Sequence, residues 1–352
     1  MTGIRQLANH LQLSIGTVSR ALNGKADVNA QTRERVLKAA VELGYVPNQS
    51  GRSLRKGTTS TVGLILTQGN SLGENNDNFF FGVIHGLQAA LKKHKLDLVL
   101  LLCARDEDPD SFLQRMVAQR IVDAVILTAT RTHDERFDIL RRANMPFVTL
   151  GRSESLGDAS WIDLDFEGIA RSSVARLCRR GHRRIAVAVP NVDANLGPLF
   201  LEGYRQGLAD CGLPFDENIV FHAETSEEGG YDVAGKVLAT EDRPTAILLI
   251  AELMSVGLYR RLGEAGLAPG RDLAVIAERE SPVGRFLLPR LTCFRLDLDA
   301  LGRMLGEMLL ANLPAFAENY KDVPKGKIWP LELVEGESDP PLRREERPRP
   351  TG

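Results

Sequence analysis

Residues 14–24 read SIGTVSRALNG, and this short stretch decides the fold of everything before residue 60. Ser14 is placed as a helix N-cap whose hydroxyl can satisfy an orphan amide. Ile15, Val18, Ala21 and Leu22 then follow helical spacing, and Asn23-Gly24 stops the helix. A helix that only buried itself would fill its first turns with Leu, Ala and Glu. This one places Thr17, Ser19 and Arg20 there, a composition suited to a polar, negatively charged surface. Upstream, Ile4, Leu7, Ala8 and Leu11 recur at spacings of three and four, as on one face of a helix. Downstream, a third helix is expected from about Ala30 to Leu43, with Val36, Leu37, Ala40 and Leu43 facing inward and Gly44 ending it. Two short helices joined by a tight turn and braced by a third make a helix-turn-helix unit; the alternative open to the same pattern is a helical hairpin with no ligand. In a helix-turn-helix unit the second helix enters the DNA major groove with its N-terminal residues towards the base edges. Thr17 and Ser19 can donate to phosphates, and Arg20 can reach a guanine edge in bidentate fashion.

Charge points the same way. Residues 1–60 hold nine Lys and Arg against three acids, a net +6, which leaves −8 for the rest of a chain whose net charge is −2. A basic head on an acidic body is suited to a polyanionic partner. At 352 residues two or three domains are expected. The longest apolar run, LDLVLLLCA from Leu96, is too short to span a membrane. No apolar signal segment opens the sequence, so a cytoplasmic protein is expected, associated with the nucleoid when bound to DNA. Cys103, Cys178, Cys211 and Cys293 are scattered without a CxxC pair. They are expected as core residues in a reducing compartment, with no disulfide, metal or cofactor.

The stretches IRQLANHLQLSIGTVSRALNG, VNAQTRERVLKAAVELGYVPN and SLRKG closely resemble the LacI/GalR (lactose repressor) family of transcription regulators. The resemblance is dense over residues 4–57 and looser to about residue 335. It implies that Ile15, Gly16 and Arg20 read bases and that Arg5, Lys25, Arg33 and Arg52 meet phosphates, with affinity falling steeply with salt. Ser14, Asn23 and Asn48 join the DNA-contacting set. Residues 47–56 match the family's hinge helix, with Leu54 as the wedge that kinks the central base step. Gly51 stands where alanine is usual in that helix, so a hinge less helical off DNA is expected.

Beyond residue 60 apolar strand-like runs alternate with helical patterns: TVGLILT (61–67), a helix from Phe79, LDLVLLLC, a helix from Pro109 to Gln119, VDAVILT, a helix from Glu135 to Ala143, and PFVTLG. The alternation recurs from Trp161, with helices at 166–180, 199–211, 230–239 and 254–265 between RIAVAVP, IVFHAE, TAILLIA and DLAVIAE. Two successive α/β units predict parallel sheets covered by helices and a cleft between two lobes. Ligands of such sheets bind beyond the strands' carboxyl ends. No Walker loop or GxGxxG follows a strand.

CRRGHRRIAVAVP and LPRLTCFRLDLDALGRMLGEMLL resemble the family's periplasmic-binding-protein-like effector domain. The resulting expectation is a helix-turn-helix headpiece at 1–46, a hinge helix and linker at 47–60, and an effector-binding and dimerisation domain at 61–337. Its N-lobe is drawn at about 61–160 and 294–322 and its C-lobe at about 161–293 and 323–337, with a disordered tail at 338–352. His182 in RRGHRRI is taken as part of a helix C-terminus, with Gly181 and the dipole-matched Arg179 and Arg180. His85 is taken as a packing or interface residue.

Carrying the effector contacts over gives Phe79 and Phe80 as an aromatic wall and Asp163 or Asp165, with Asp165 favoured, as the acceptor for ligand hydroxyls. Phe200 stands where the family has arginine, Ala251-Glu252 where it has Asn-Asp, and Ala277-Glu278-Arg279-Glu280 where it has GFDD. Two effectors compete. Phe200 as a second aromatic surface would suit a neutral glycoside or disaccharide, the favoured choice; Arg279 as an anion clamp would suit a sugar acid or sugar phosphate. A third reading has Arg279 only paired with Glu252 or Glu280. The whole is expected to be a homodimeric, carbohydrate-responsive repressor of an uptake or catabolic operon, bound to a pseudo-palindromic operator, with no membrane partner. An enzyme with a DNA-binding head is the rival class, and Glu252, Glu278 and Glu280 are its only candidate carboxylates.

Overall fold

A computed structural model describes residues 3–22, 24–45, 59–67, 79–104 and 106–342, and the chain divides into two compact units, Met1–Thr59 and Ser60–Gly352. The first holds α1 (Ile4–Leu11), α2 (Ile15–Leu22) and α3 (Ala30–Glu42). Ser14 caps α2 as expected, its hydroxyl accepting from the Thr17 amide at 3.0 Å. Asn29 caps α3 in the same manner, accepting from Thr32 at 2.7 Å. The small core is made of Leu7, Ala8, Val18, Ala21, Val28, Val36, Ala39 and Ala40. Leu37 is not part of it. It stands about 100° round the helix from Val36 and is 48% exposed, with Ala39 taking the inward place.

In the second unit the first lobe runs β1 (Thr61–Thr67), α4 (Phe79–Lys92), β2 (Asp97–Cys103), α5 (Pro109–Gln119), β3 (Ala124–Leu127), α6 (Arg136–Arg142), β4 (Phe147–Leu150) and β5 (Ser160–Leu164). The second continues with α7 (Phe166–Arg179), β6 (Ile185–Pro190), α8 (Leu196–Asp210), β7 (Val220–Ala223), α9 (Glu227–Ala239), β8 (Ala246–Leu249), α10 (Met254–Glu264) and β9 (Ala274–Ala277). The chain then returns through β10 (Cys293–Arg295), α11 (Leu298–Ala311), β11 (Gly326–Trp329) and β12 (Glu332–Val334). The N-lobe sheet has the order β11-β5-β4-β3-β1-β2 and the C-lobe sheet β7-β6-β8-β9. Every pairing within both is parallel, while β10 and β12 pair antiparallel.

Two expected boundaries move. β5 and β11 both lie in the N-lobe sheet, joined through Trp161 N to Lys325 O at 2.7 Å, so the first crossing falls after Leu164 and the last after Trp329. The tail drawn from residue 338 is also corrected. Ser338 and Asp339 are fully buried. The Ser338 hydroxyl accepts from Thr292 N at 2.8 Å and donates to Val275 O at 2.6 Å. Asp339 accepts from Arg176 Nε and from Thr292 Oγ1, both at 2.5 Å, and Arg180 Nε stands 3.5 Å away. Leu342 N donates to Arg180 O at 2.8 Å. A polar, proline-rich stretch is ordered here because its carboxylate meets the buried Arg176 and the half-buried Arg180. His182, buried, faces Thr245 Oγ1 at 3.0 Å and the Pro340 carbonyl at 3.2 Å, which fastens the same strap.

α8 begins at Leu196, three residues ahead of its expected start, because Pro198 is tolerated within a first helical turn. α4 and α11 pack closely at Gly86 and Gly302. A Cβ on Gly86 would stand 1.9 Å from Asp299 O, and one on Gly302 2.0 Å from Val83 O. His85 lies beside this contact, its Nδ1 2.6 Å from Asp299 Oδ1.

Candidate functional site

The outer face of α2 carries the residues expected to read DNA. Ile15 is 39% exposed although it is the first apolar residue of the helix. A Cβ on Gly16 would meet only Ser14 Oγ at 3.7 Å, so nothing within this unit requires glycine there. Thr17 Oγ1 lies 2.8 Å from Ser14 Oγ, Ser19 is half-buried and Arg20 exposed. Arg20 Nε is 3.4 Å from Asp27, with both side chains more than half in solvent, a pairing weak enough to exchange for DNA. Arg5 and Lys25 are exposed. Arg33 Nη2 donates to Lys25 O at 2.7 Å, which braces the loop before α3. Asn23, Asn48, Arg52 and Leu54, and the hinge with Gly51, lie outside the described residues.

The second site is a cleft between the lobes of the second unit, open to solvent. Its walls come from the strands' carboxyl ends: Thr128 and Thr130 after β3, Arg152 after β4, Asp163 on β5, Pro190 on β6, Ala251 beyond β8, and Glu278 and Arg279 after β9. The first residues of three helices complete it: Phe79 and Phe80 of α4, Phe166 of α7 and Leu196 of α8. Phe79 and Phe80 meet edge to face, 5.0 Å between centroids at 88°, an arrangement that aromatic quadrupoles favour.

Several hydrogen bonds join the lobes. Asn195, before α8, donates its backbone N–H to Thr130 O at 2.8 Å and its Nδ2 to Arg152 O at 2.9 Å. Thr132 Oγ1 donates to Asn195 Oδ1 at 3.0 Å. Arg152 donates through Nε to Asp163 at 2.8 Å and through Nη2 to Glu167 of α7 at 2.6 Å. Burial pushes the Asp163 carboxyl up to about 6, against the opposing pull of Arg152.

The structure sorts the expected effector residues unevenly. Phe79, Phe80 and Arg279 line the cleft. Asp165 does not; it caps α7, accepting from Gly168 N at 3.0 Å, and Asp163, the alternative, lines the cleft in its place. Phe200 is 1% exposed within the hydrophobic core and forms no aromatic platform. Glu252 is buried just behind the wall, its Oε1 3.3 Å from Arg279 Nη2, and Glu278 Oε2 is 3.6 Å from Arg279 Nε. Glu280 faces Arg285 and Arg295, each at 3.2 Å. All three carboxylates of the enzyme alternative thus stand against arginines. Arg152, Asn195, Phe166 and Thr130 were not anticipated, although Thr130 and Arg152 lie in the loops just beyond the carboxyl ends of β3 and β4, where open α/β sheets place their ligands. Among the described residues no group of His, Cys, Asp and Glu is arranged to hold a metal ion, and no helix is long and apolar enough to cross a membrane.

Residues 4–48 match the lacI family of bacterial regulatory proteins, and residues 174–338 match a periplasmic-binding-protein-like domain. The regulator AglR of Rhizobium meliloti is 33% identical over 338 residues, covering 94% of this chain and 92% of its own. The chain belongs to the LacI family. A LacI-family regulator from Thermobifida fusca, CelR, is 30% identical over 302 residues, covering 84% of this chain and 87% of its own. The solved CelR–cellobiose complex superimposes with a TM-score of 0.71 at 27% identity, covering 96% of this chain and all of that one. The lac repressor dimer bound to operator and the anti-inducer ONPF shares the fold, with a TM-score of 0.83 at 22% identity over 96% and 99% of the two chains. This LacI-family protein is therefore a DNA-binding transcriptional regulator, and the relatives named here are regulators rather than enzymes.

Proposed function

We propose that the protein is a dimeric repressor of a carbohydrate uptake or catabolic operon, released from a pseudo-palindromic operator when a neutral glycoside or disaccharide enters the interlobe cleft. The observation that carries the choice of effector is the setting of Arg279. Its charge is met by Glu252 and Glu278, and that of Arg152 by Asp163 and Glu167. Two guanidinium groups against four carboxylates make an unfavourable site for a sugar acid or phosphate. Phe79, Phe80 and Phe166 offer apolar surface to sugar rings, while Asp163, Asn195 and Thr130 supply polar groups for hydroxyls. The solved relative CelR holds cellobiose, a disaccharide, in keeping with this reading. On the DNA side Ile15, Gly16 and Arg20 read the operator, with Arg5 and Lys25 on phosphates.

The test is thermal unfolding of the full chain against neutral disaccharides, monosaccharides, sugar acids and sugar phosphates. A ligand at about 100 times its Kd adds roughly 2.7 kcal/mol, and the stabilising sugar is expected to release the protein from its operator. Stabilisation by acids or phosphates alone would overturn the neutral reading.

A pH dependence follows. The Asp163 pKa is raised from 3.8 to about 6, so the fold favours its protonated form. That contribution to stability is present below the ordinary value and is lost as pH rises through about 6. A sugar donating hydroxyls to the carboxylate prefers the ionised form, so effector affinity is expected to rise with pH up to about 6 and level off above it. Calorimetric titrations across that window read the effect, and Asp163→Asn should flatten the profile. A profile equally steep in the variant would remove Asp163 from the contact set.

A further inference from the structure

Arg279 makes one contact that its ion pairs do not explain. Its guanidinium carbon lies 5.0 Å from the centroid of the Phe79 ring. Phe79 opens α4 in the N-lobe, whereas Arg279 follows β9 in the C-lobe, so this contact spans the cleft. The Arg279 side chain is only 10% exposed, and the carboxylates beside it, on Glu252 and Glu278, are 2% and 6% exposed. A guanidinium gripped at its edge by carboxylates still presents a flat face, and in a desolvated place that face gains from an aromatic ring. Phe80, packed edge-on against Phe79, limits how that ring can turn.

We propose that Arg279 is a positioning residue that clasps the two lobes together through Phe79 before any effector enters. The clasp is a property of the protein alone; only its consequence rests on the cleft being the effector site. The stack then adds to the interlobe hydrogen bonds of Asn195 and Arg152 in setting the closed fraction of the ligand-free protein. An effector shifts it only by binding one state better than the other. The position where the family carries an acid for ligand hydroxyls is used here to hold the cleft.

The Asn195 amide provides a ligand-free readout, because its hydrogen bond to Thr130 O also crosses the cleft and breaks when the lobes part. Hydrogen exchange of the full chain is to be followed at Asn195 and at Ala186–Val189 of β6, which lie within the C-lobe sheet. Phe79→Leu leaves the Arg279 ion pairs in place and removes the aromatic face. It is expected to speed Asn195 exchange roughly twofold to thirtyfold, the factor equivalent to a cation–π contact of about 0.5–2 kcal/mol, with β6 unchanged. Arg279→Lys keeps the charge but loses the planar face, and should behave alike; the double variant should add nothing further. Unchanged exchange at Asn195 would overturn the clasp. So would equal acceleration in β6, which marks general destabilisation, or additive effects in the double variant. Failure of the sugar panel with the exchange result intact would remove the effector reading and leave the clasp standing.

Discussion

An Asp339→Ala protein is expected to lose about 3–5 kcal/mol of stability, a drop on the order of 10 °C in the melting of the effector unit. Asp339 is fully buried and is shared by Arg176, Arg180 and Thr292. Removing it leaves the Arg176 guanidinium, itself 9% exposed, without its buried partner. Glu335, 2.6 Å from Arg176 Nη1 but 69% exposed, is too well solvated to take over. Asp339→Asn retains shape and hydrogen-bonding capacity, so it should fall between the two. The measurement is thermal unfolding followed by circular dichroism. A variant melting within about 1 °C of the parent would show that the strap over residues 338–342 adds nothing to the C-lobe.

The second large effect is expected at Gly86→Val. The atoms nearest an added Cβ are backbone: Asp299 O at 1.9 Å, Asp299 C at 2.8 Å and Arg303 N at 2.9 Å. None can swing aside as a side chain would, so α4 and α11 must separate, at about 1–3 kcal/mol or more. α4 begins with Phe79 and Phe80, so the displacement reaches the cleft wall as well as the core. Effector affinity should fall together with melting temperature. A variant that melts lower yet binds effector unchanged would show that the aromatic wall is positioned independently of this helix contact.

Much of this architecture was legible in the sequence because strand-and-helix alternation and the residues around the α2 cap follow local rules. What escaped were residues whose role depends on distant partners. Asp165 directly precedes a helix expected at 166–180, and an aspartate there is an N-cap by its position alone. Asp163, two residues earlier on β5, reaches the cleft instead. Phe200 shares a helix face with Gly197, Gly203, Tyr204 and Gly207, all buried; that spacing marks a core face and outweighs position within a family pattern. Asn195 carries no sequence signal of its own, because its partners Thr130, Thr132 and Arg152 are at least 43 residues away. Ser338 and Asp339 were hidden by a polar composition, since the arginines that bury them are over 150 residues upstream.

The strap also has a bearing on how the protein is made. Among the described residues the three-helix head has its core by residue 45, but the C-lobe receives its last buried charge only with residue 339. Domains form in order as they leave the ribosome, at about 5–20 residues per second. The three-helix core is thus in place roughly 15–60 s before the part that holds the cleft can finish folding. For that interval a nascent regulator carries a folded three-helix core on an unfinished body.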